Sequence, residues 1–262
     1  ENSTYFNMAL ITLLTDFGEK DYYVGLFKGD LYTACPSSKI VDISHAIAPY
    51  DIVTAAFFLK NVYHHFPKGT IHIARVAEQG LGTQKLLAAK YENYYFIAPD
   101  NGLLTMVFDE KPDLIVEVDM KQAKLKTLEE YYCRVVKEIT FNHNIGSIGI
   151  ATSKYEERKS MMPVLQPERI IGVAVHVDNF GNVITNIHRD DVARFDKSKH
   201  MRINYRKYDY IEQIVENYSD VDPTYSLARF NSMGLLEICI NRGHASDLLG
   251  IAKGDAIQII FE

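Results

Sequence analysis

The 262 residues predict a two-domain α/β protein: an N-terminal, mostly parallel sheet sandwiched between helices, then a smaller C-terminal β domain. Three observations predict it. Through the first two-thirds, short apolar runs alternate with segments whose apolar residues recur at helical spacing. Near 155–168 a stretch carrying Glu156, Glu157, Arg158, Lys159, Pro163 and Pro167 breaks that alternation and reads as a linker. Beyond it apolar residues recur with period two, the mark of half-buried strands. The expected domains are 1–160 and 168–262.

Each element follows from its local pattern. Residues 9–14 are an apolar run stopped by Thr15-Asp16-Phe17-Gly18, so they suit a buried strand ending in a loop. Val24, Phe27 and Leu31 give 21–34 a helical stripe, which stops ahead of Pro36. Residues 39–43 form a second strand. A second helix runs over 51–63, with Asp51 as its N-cap, because a short carboxylate can accept an orphan backbone N–H of the first turn. Residues 70–74 and 94–98 are further strands. Strand–helix–strand repetition calls for parallel neighbours with helices on both faces, and ligands then bind beyond the carboxyl ends of the strands. In the second domain, 170–177, 182–187, 235–240 and 256–260 alternate as strands of a barrel or a sandwich, with helix only around 245–249.

Composition excludes several classes. Lys and Arg number 28 against 34 Asp and Glu, a net charge of −6, and no basic stripe is present to neutralise phosphates, which argues against nucleic acid as a partner. Cys35, Cys133 and Cys239 are odd in number and far apart, so reduced thiols are expected and not a disulfide framework. No apolar run reaches membrane-spanning length. Residue 1 is Glu and no signal-peptide pattern opens the chain, so Met8 is the expected natural start and the cytoplasm the expected compartment. His45, His64, His65 and His72 show no ligand spacing, and no metal site is expected.

Several loops carry chemistry-bearing residues. Asp16 and Asp21 lie at a strand's carboxyl end, where a carboxylate can bind a ribose diol or merely cap the next helix. Residues 98–102 (Ala-Pro-Asp-Asn-Gly) and 178–182 (Asp-Asn-Phe-Gly-Asn) are turns by composition. Taken in order, TDFG at 15–18, IVDISH at 40–45, FPKGTIH at 66–72, APDNGLL at 98–104, DNFGNVITNI at 178–187 and NSMGLLEICINRG at 231–243 form a more specific pattern. Together they resemble the S-adenosylmethionine (SAM) hydroxide adenosyltransferases and the related SAM-dependent fluorinases and chlorinases, over almost the whole chain.

The resemblance implies a C-terminal β-barrel and a homotrimer, with SAM lying between one subunit's N-domain and its neighbour's C-domain. It implies Asp16 on the ribose hydroxyls, Asp21 and Asp178 at the methionine ammonium, and Ser232 on the methionine carboxylate. Asn182 would read adenine together with backbone near 243–245, Tyr50 and Tyr225 would wall the sugar and base, and Phe180 and Arg242 join the binding set. The family's VDPGVGTxR stretch reads Ala77-Glu78-Gln79-Gly80-Leu81-Gly82-Thr83-Gln84-Lys85 here, so Glu78 and Lys85 stand for its Asp and Arg. Its TFHGRD segment is matched to 140–145, with Asn142 at the His position and His143 one place on. Glu78, Lys85, Asn142 and His143 are therefore the expected catalytic set. The expected activity is hydrolysis of SAM to adenosine and L-methionine, with SAM as substrate and no cofactor. Halide attack on SAM and a non-catalytic SAM- or adenosine-binding protein are the alternatives.

Overall fold

A computed structural model describes residues 8–120, 125–196 and 198–262. The first seven residues, ahead of the expected start, lie outside them. Two compact units result, Glu1–Ser160 and Met161–Glu262.

The first unit runs β1 (Leu10–Thr15), α1 (Tyr23–Ala34), β2 (Lys39–Ser44), α2 (Ile52–Val62), β3 (Ile71–Arg75), β4 (Leu86–Tyr91), β5 (Tyr94–Pro99), α3 (Leu103–Val107), β6 (Leu114–Val118), α4 (Leu128–Asn142) and β7 (Gly149–Ala151). Its seven strands lie in the order β2-β1-β3-β5-β4-β6-β7. The expectation of a mostly parallel sheet needs correction. The pairs β1–β2, β1–β3 and β3–β5 are parallel, but β4–β5, β4–β6 and β6–β7 are antiparallel. The cause is local. Glu92 and Asn93, both with positive φ, make a two-residue turn between β4 and β5. Such a turn matches the strand twist and forces a hairpin, and a hairpin is antiparallel.

Side chains of β5 alternate between two cores, as the period of a strand requires. Tyr95 and Ile97 pack with Phe27 and Leu31 of α1 and Tyr132 and Val136 of α4. Phe96 and Ala98 pack instead with Leu59 of α2 and Leu104 of α3. Asp51 caps α2 as expected, accepting from the Thr54 N–H at 3.0 Å. Neither Asp16 nor Asp21 caps α1, whose N-cap position is Tyr22.

The second unit is an antiparallel sheet: β8 (Val164–Gln166), β9 (Arg169–Val177), β10 (Val183–His188), α5 (Arg189–Val192), β11 (Met201–Asn204), β12 (Tyr210–Ile211), β13 (Ser226–Phe230), β14 (Leu235–Ile240), α6 (Ala245–Leu249) and β15 (Ala256–Phe261). The order β12-β11-β15-β9-β10-β14-β13 curls into a nearly closed barrel, with a bridge from Ile214 to Ala228 drawing its two edges together. Alternate residues such as Ile170, Val183, Ile203, Leu236, Ile238 and Ile259 fill its interior.

Candidate active site

In the first unit, β2 and β3 flank β1, so the chain order reverses at β1, and ligands of open α/β sheets bind at the carboxyl end of such a point. Asp16 stands there. Its Oδ2 accepts the backbone N–H of Tyr50, from the loop after β2, and of Ala77, from the loop after β3, each at 3.0 Å. Two N–H donors fix one carboxylate oxygen across the switch point. The other, Oδ1, takes no hydrogen bond from the described residues and remains available to a ligand. Tyr50 holds a left-handed backbone (φ 67°) and leaves its ring 77% exposed beside this carboxylate. Asp21 is exposed ahead of α1.

The loop after β3 also carries Glu78, and the structure gives it partners that sequence reasoning did not anticipate. Arg75, at the end of β3, is only 3% exposed. Its Nε donates to Glu78 Oε2 at 3.0 Å, and its Nη2 bonds Glu78 and lies 2.9 Å from Glu129 Oε1 of α4. Tyr132 donates its hydroxyl to Glu78 Oε1 at 2.7 Å. The guanidinium also lies over the rings of Phe17, Phe27 and Tyr132, within 5.1 Å of each centroid. Burial works against the charge on Arg75, but Tyr132 and the two carboxylates around it hold its pKa above the ordinary value. Burial first, and Glu78 next, push the Tyr132 hydroxyl well above the usual range. Glu78 is thus a fixed, ion-paired carboxylate. Lys85 immediately precedes β4 at the same sheet edge, half-exposed, with Nζ 2.7 Å from Glu117 Oε2 of β6. That pairing raises its pKa.

Asn142 and His143 do not join this group, and their assignment to the catalytic set is corrected. Helix α4 starts near the carboxyl edge, where Glu129 meets Arg75, and runs back along the sheet to end at His143. There Tyr95, near the start of β5, donates its hydroxyl to the His143 carbonyl at 3.0 Å. His143 lines a cleft of about 440 Å³ with Ala9, Lys39 and Thr70, at the opposite ends of the strands. Asn142 bonds Glu138 within α4. Between that edge and Asp16 stands the length of β1, six residues and thus ~20 Å.

In the second unit, Asp178, Phe180, Asn182, Tyr225 and Arg242 gather at one end of the barrel. Asp178 Oδ1 accepts the N–H groups of Phe180 and Asn182, both at 2.9 Å, and Oδ2 accepts the Asn182 side-chain amide at 3.0 Å. Gly181 must be glycine: φ is +82°, and a Cβ would stand 2.2 Å from the His244 ring. The Phe180 and Tyr225 rings are 76% and 65% exposed. The Ser246 N–H donates to the Gly181 carbonyl at 2.9 Å, tying the 178–182 turn to the segment after Arg242. Ser232 sits apart, in the turn between β13 and β14 at the other end of β14.

The described residues hold no group of three or more His, Cys, Asp or Glu placed to bind a metal ion, and no helix long and apolar enough to cross a membrane. Cys35, Cys133 and Cys239 are free thiols.

The fold sets an anchored carboxylate at the switch point of an α/β sheet, the place where such sheets take their ligands. The profile of the SAM hydroxide adenosyltransferase N-terminal domain matches residues 11–137, and that of the C-terminal domain matches 172–258. The chain belongs to the SAM hydroxide adenosyltransferase family. It is 31% identical to the (R)-S-adenosyl-L-methionine hydrolase of Methanocaldococcus jannaschii, over 97% of each chain. It is 28% identical to a fluorinase of an Actinoplanes species, over 71% of this chain and 74% of the other. A solved structure of an uncharacterized conserved protein from Thermotoga maritima superposes with a TM-score of 0.84 at 31% identity, covering 95% of this chain and 99% of that one.

Proposed function

We propose that the chain is a SAM hydrolase, releasing adenosine and L-methionine by attack of water at the ribose C5′. The observation that carries the reading is the Asp16 carboxylate, anchored through Oδ2 by two backbone N–H groups and presenting Oδ1 at the switch point. A ribose diol is the ligand group that such an acceptor fits. In the reaction the water oxygen forms a bond to C5′ as the C5′–S bond breaks and its electron pair returns to sulfur. Sulfur departs as the neutral thioether of methionine, so the leaving group needs no general acid. The water proton passes to solvent. The chain's own tasks are to hold C5′ in line with the water and to keep bulk solvent out.

Asp16 holds the sugar. Glu78 and Lys85, both at the same sheet edge, position the water, Glu78 in the orientation that Arg75 and Tyr132 impose. In this reading Asp21 and Asp178 receive the methionine ammonium, Asn182 and Arg242 face adenine, and the exposed rings of Tyr50, Phe180 and Tyr225 close over the sugar and base, while Ser232, at the other end of β14 from Asp178, stands too far off to take the carboxylate of the same methionine. The proposed enzyme, an α/β/α sandwich followed by a barrel, is a cytoplasmic homotrimer with each SAM held between adjacent subunits, working without a cofactor. Chromatography of the protein incubated with SAM tests the activity. Adenosine and methionine in equal amounts above the no-protein control are expected. Intact SAM with binding preserved would make the chain a SAM-binding protein without turnover.

A further inference from the structure

One motif, IVDISH at 40–45, has no part in the chemistry above, and its histidine touches the clamp. His45 follows β2 and is 6% exposed. Its Nδ1 lies 2.9 Å from Thr15 Oγ1, and Thr15, 1% exposed, immediately precedes Asp16. Its Nε2 lies 3.1 Å from Asp42 Oδ1. Its backbone carbonyl accepts the Gly18 N–H at 2.8 Å. We infer that His45 is a positioning residue: with Thr15 and Asp42 it staples the loop after β1 to the loop after β2, and so aims the Asp16 carboxylate at the ribose diol.

The polar groups sort into one chain. Thr15 Oγ1 accepts the Phe17 N–H at 3.3 Å and also bonds His45 Nδ1, which turns the imidazole so that Nε2 faces Asp42. The second oxygen of Asp42 is held by Lys28 of α1. Burial pushes the Asp42 carboxyl up, but the Lys28 ammonium bonded to it and the nearby His45 ring outweigh that and keep the group below its ordinary value, so the anchor is a carboxylate at neutral pH. Three contacts cross from β1, its loop or α1 to β2 or the loop after it: Thr15 with His45, Gly18 N–H with the His45 carbonyl, and Lys28 with Asp42. Those segments meet again at Tyr50 N–H and Asp16 Oδ2. A loop held at His45 carries Tyr50 five residues on, so the staple sets where the N–H that grips Asp16 stands. A clamp loosened there keeps its charge but loses its aim, which weakens contacts to the two ribose hydroxyls and leaves adenine contacts alone.

This inference rests on the ribose reading of Asp16, and the test separates the two. The full-length protein is titrated calorimetrically with adenosine and with 2′,3′-dideoxyadenosine, which lacks both hydroxyls. The wild type is expected to prefer adenosine. Thr15→Val keeps the side-chain shape, removes Oγ1, and is expected to shrink that preference about tenfold, while affinity for the dideoxy compound changes less than about twofold. Thr15→Ser restores the hydroxyl and the preference. A merely structural loss weakens both ligands alike. Asp42→Asn, at a half-exposed position, serves if Thr15→Val does not fold, and is expected to lower the preference about threefold. A wild type that prefers adenosine and a Thr15→Val protein that prefers it equally would overturn the staple and leave the clamp standing. A wild type without the preference would overturn both.

Discussion

Replacing Asp16 by Asn tests the ribose clamp with little disturbance to the fold, because the structure tells which way the amide will turn. The Tyr50 and Ala77 N–H groups, each 3.0 Å from Oδ2, need an acceptor, so the amide oxygen takes that position and the NH₂ replaces Oδ1. Both backbone donors stay paired, and stability should change by less than about 1 kcal/mol, the scale of one net hydrogen bond. The outward group changes from a charged acceptor to a neutral donor. Hydrogen bonds to charged groups contribute about 1.5–3 kcal/mol, so adenosine and SAM should bind roughly 10- to 150-fold more weakly. Calorimetric titration supplies the affinity and urea unfolding the stability. Affinity within twofold of the wild type would refute the clamp. A loss of affinity matched by a loss of several kcal/mol in stability would show that Asp16 acts on the fold instead.

Other expectations follow from the same geometry. Arg75→Met leaves the half-buried Glu78 and Glu129 without their buried cation, and urea unfolding should show a loss of about 2–4 kcal/mol, partly recovered in Arg75→Met/Glu78→Gln. His72 is buried with a pKa lowered to about 3 by burial, so the unfolded chain binds a proton that the fold refuses. Its contribution to stability is present above the unfolded value near 6.5 and is lost as pH falls toward 3. Unfolding curves between pH 6 and 4 should therefore lose up to about 1.4 kcal/mol per pH unit, a slope that His72→Phe flattens. Lys85→Ala should lower kcat/KM for SAM at least about tenfold, whereas His143→Ala, at the far edge of the sheet, should leave it within about twofold.

Much of this architecture is legible in the residue pattern, for physical reasons that differ from element to element. β1, β3 and β5 stand out because buried strands are built mostly from apolar residues, and Asp51 because a capping carboxylate has a fixed place ahead of a helix. The β4–β5 hairpin escapes because Glu92-Asn93 is not one of the glycine-containing pairs that announce a two-residue turn, and a glutamate at φ 49° follows from no local preference. The helix α4 does have a signal. Thr127 and Glu130 have the spacing of a capping box, the Glu130 N–H donates to Thr127 Oγ1 at 3.3 Å, and apolar residues recur at 128, 131, 132, 135, 136 and 139. Matching 140–145 by its letters alone hides that these residues finish that helix, and this is how Asn142 and His143 enter the catalytic set. Arg75 is missed for another reason. An arginine ending an apolar strand looks like a surface residue until three rings and one carboxylate from distant segments, with Glu78 beside it, enclose it.

SAM turnover in water enriched in oxygen-18 reports most directly on the attack at C5′. Attack of water at C5′ places the solvent oxygen in the 5′-hydroxyl of adenosine, and mass spectrometry of the nucleoside reads it directly. Hydrolysis at C5′ yields adenosine carrying one heavy oxygen per molecule formed, together with unlabelled methionine. Adenosine without the label, a 5′-halogenated nucleoside when halide is supplied, or no nucleoside product despite bound SAM would contradict it.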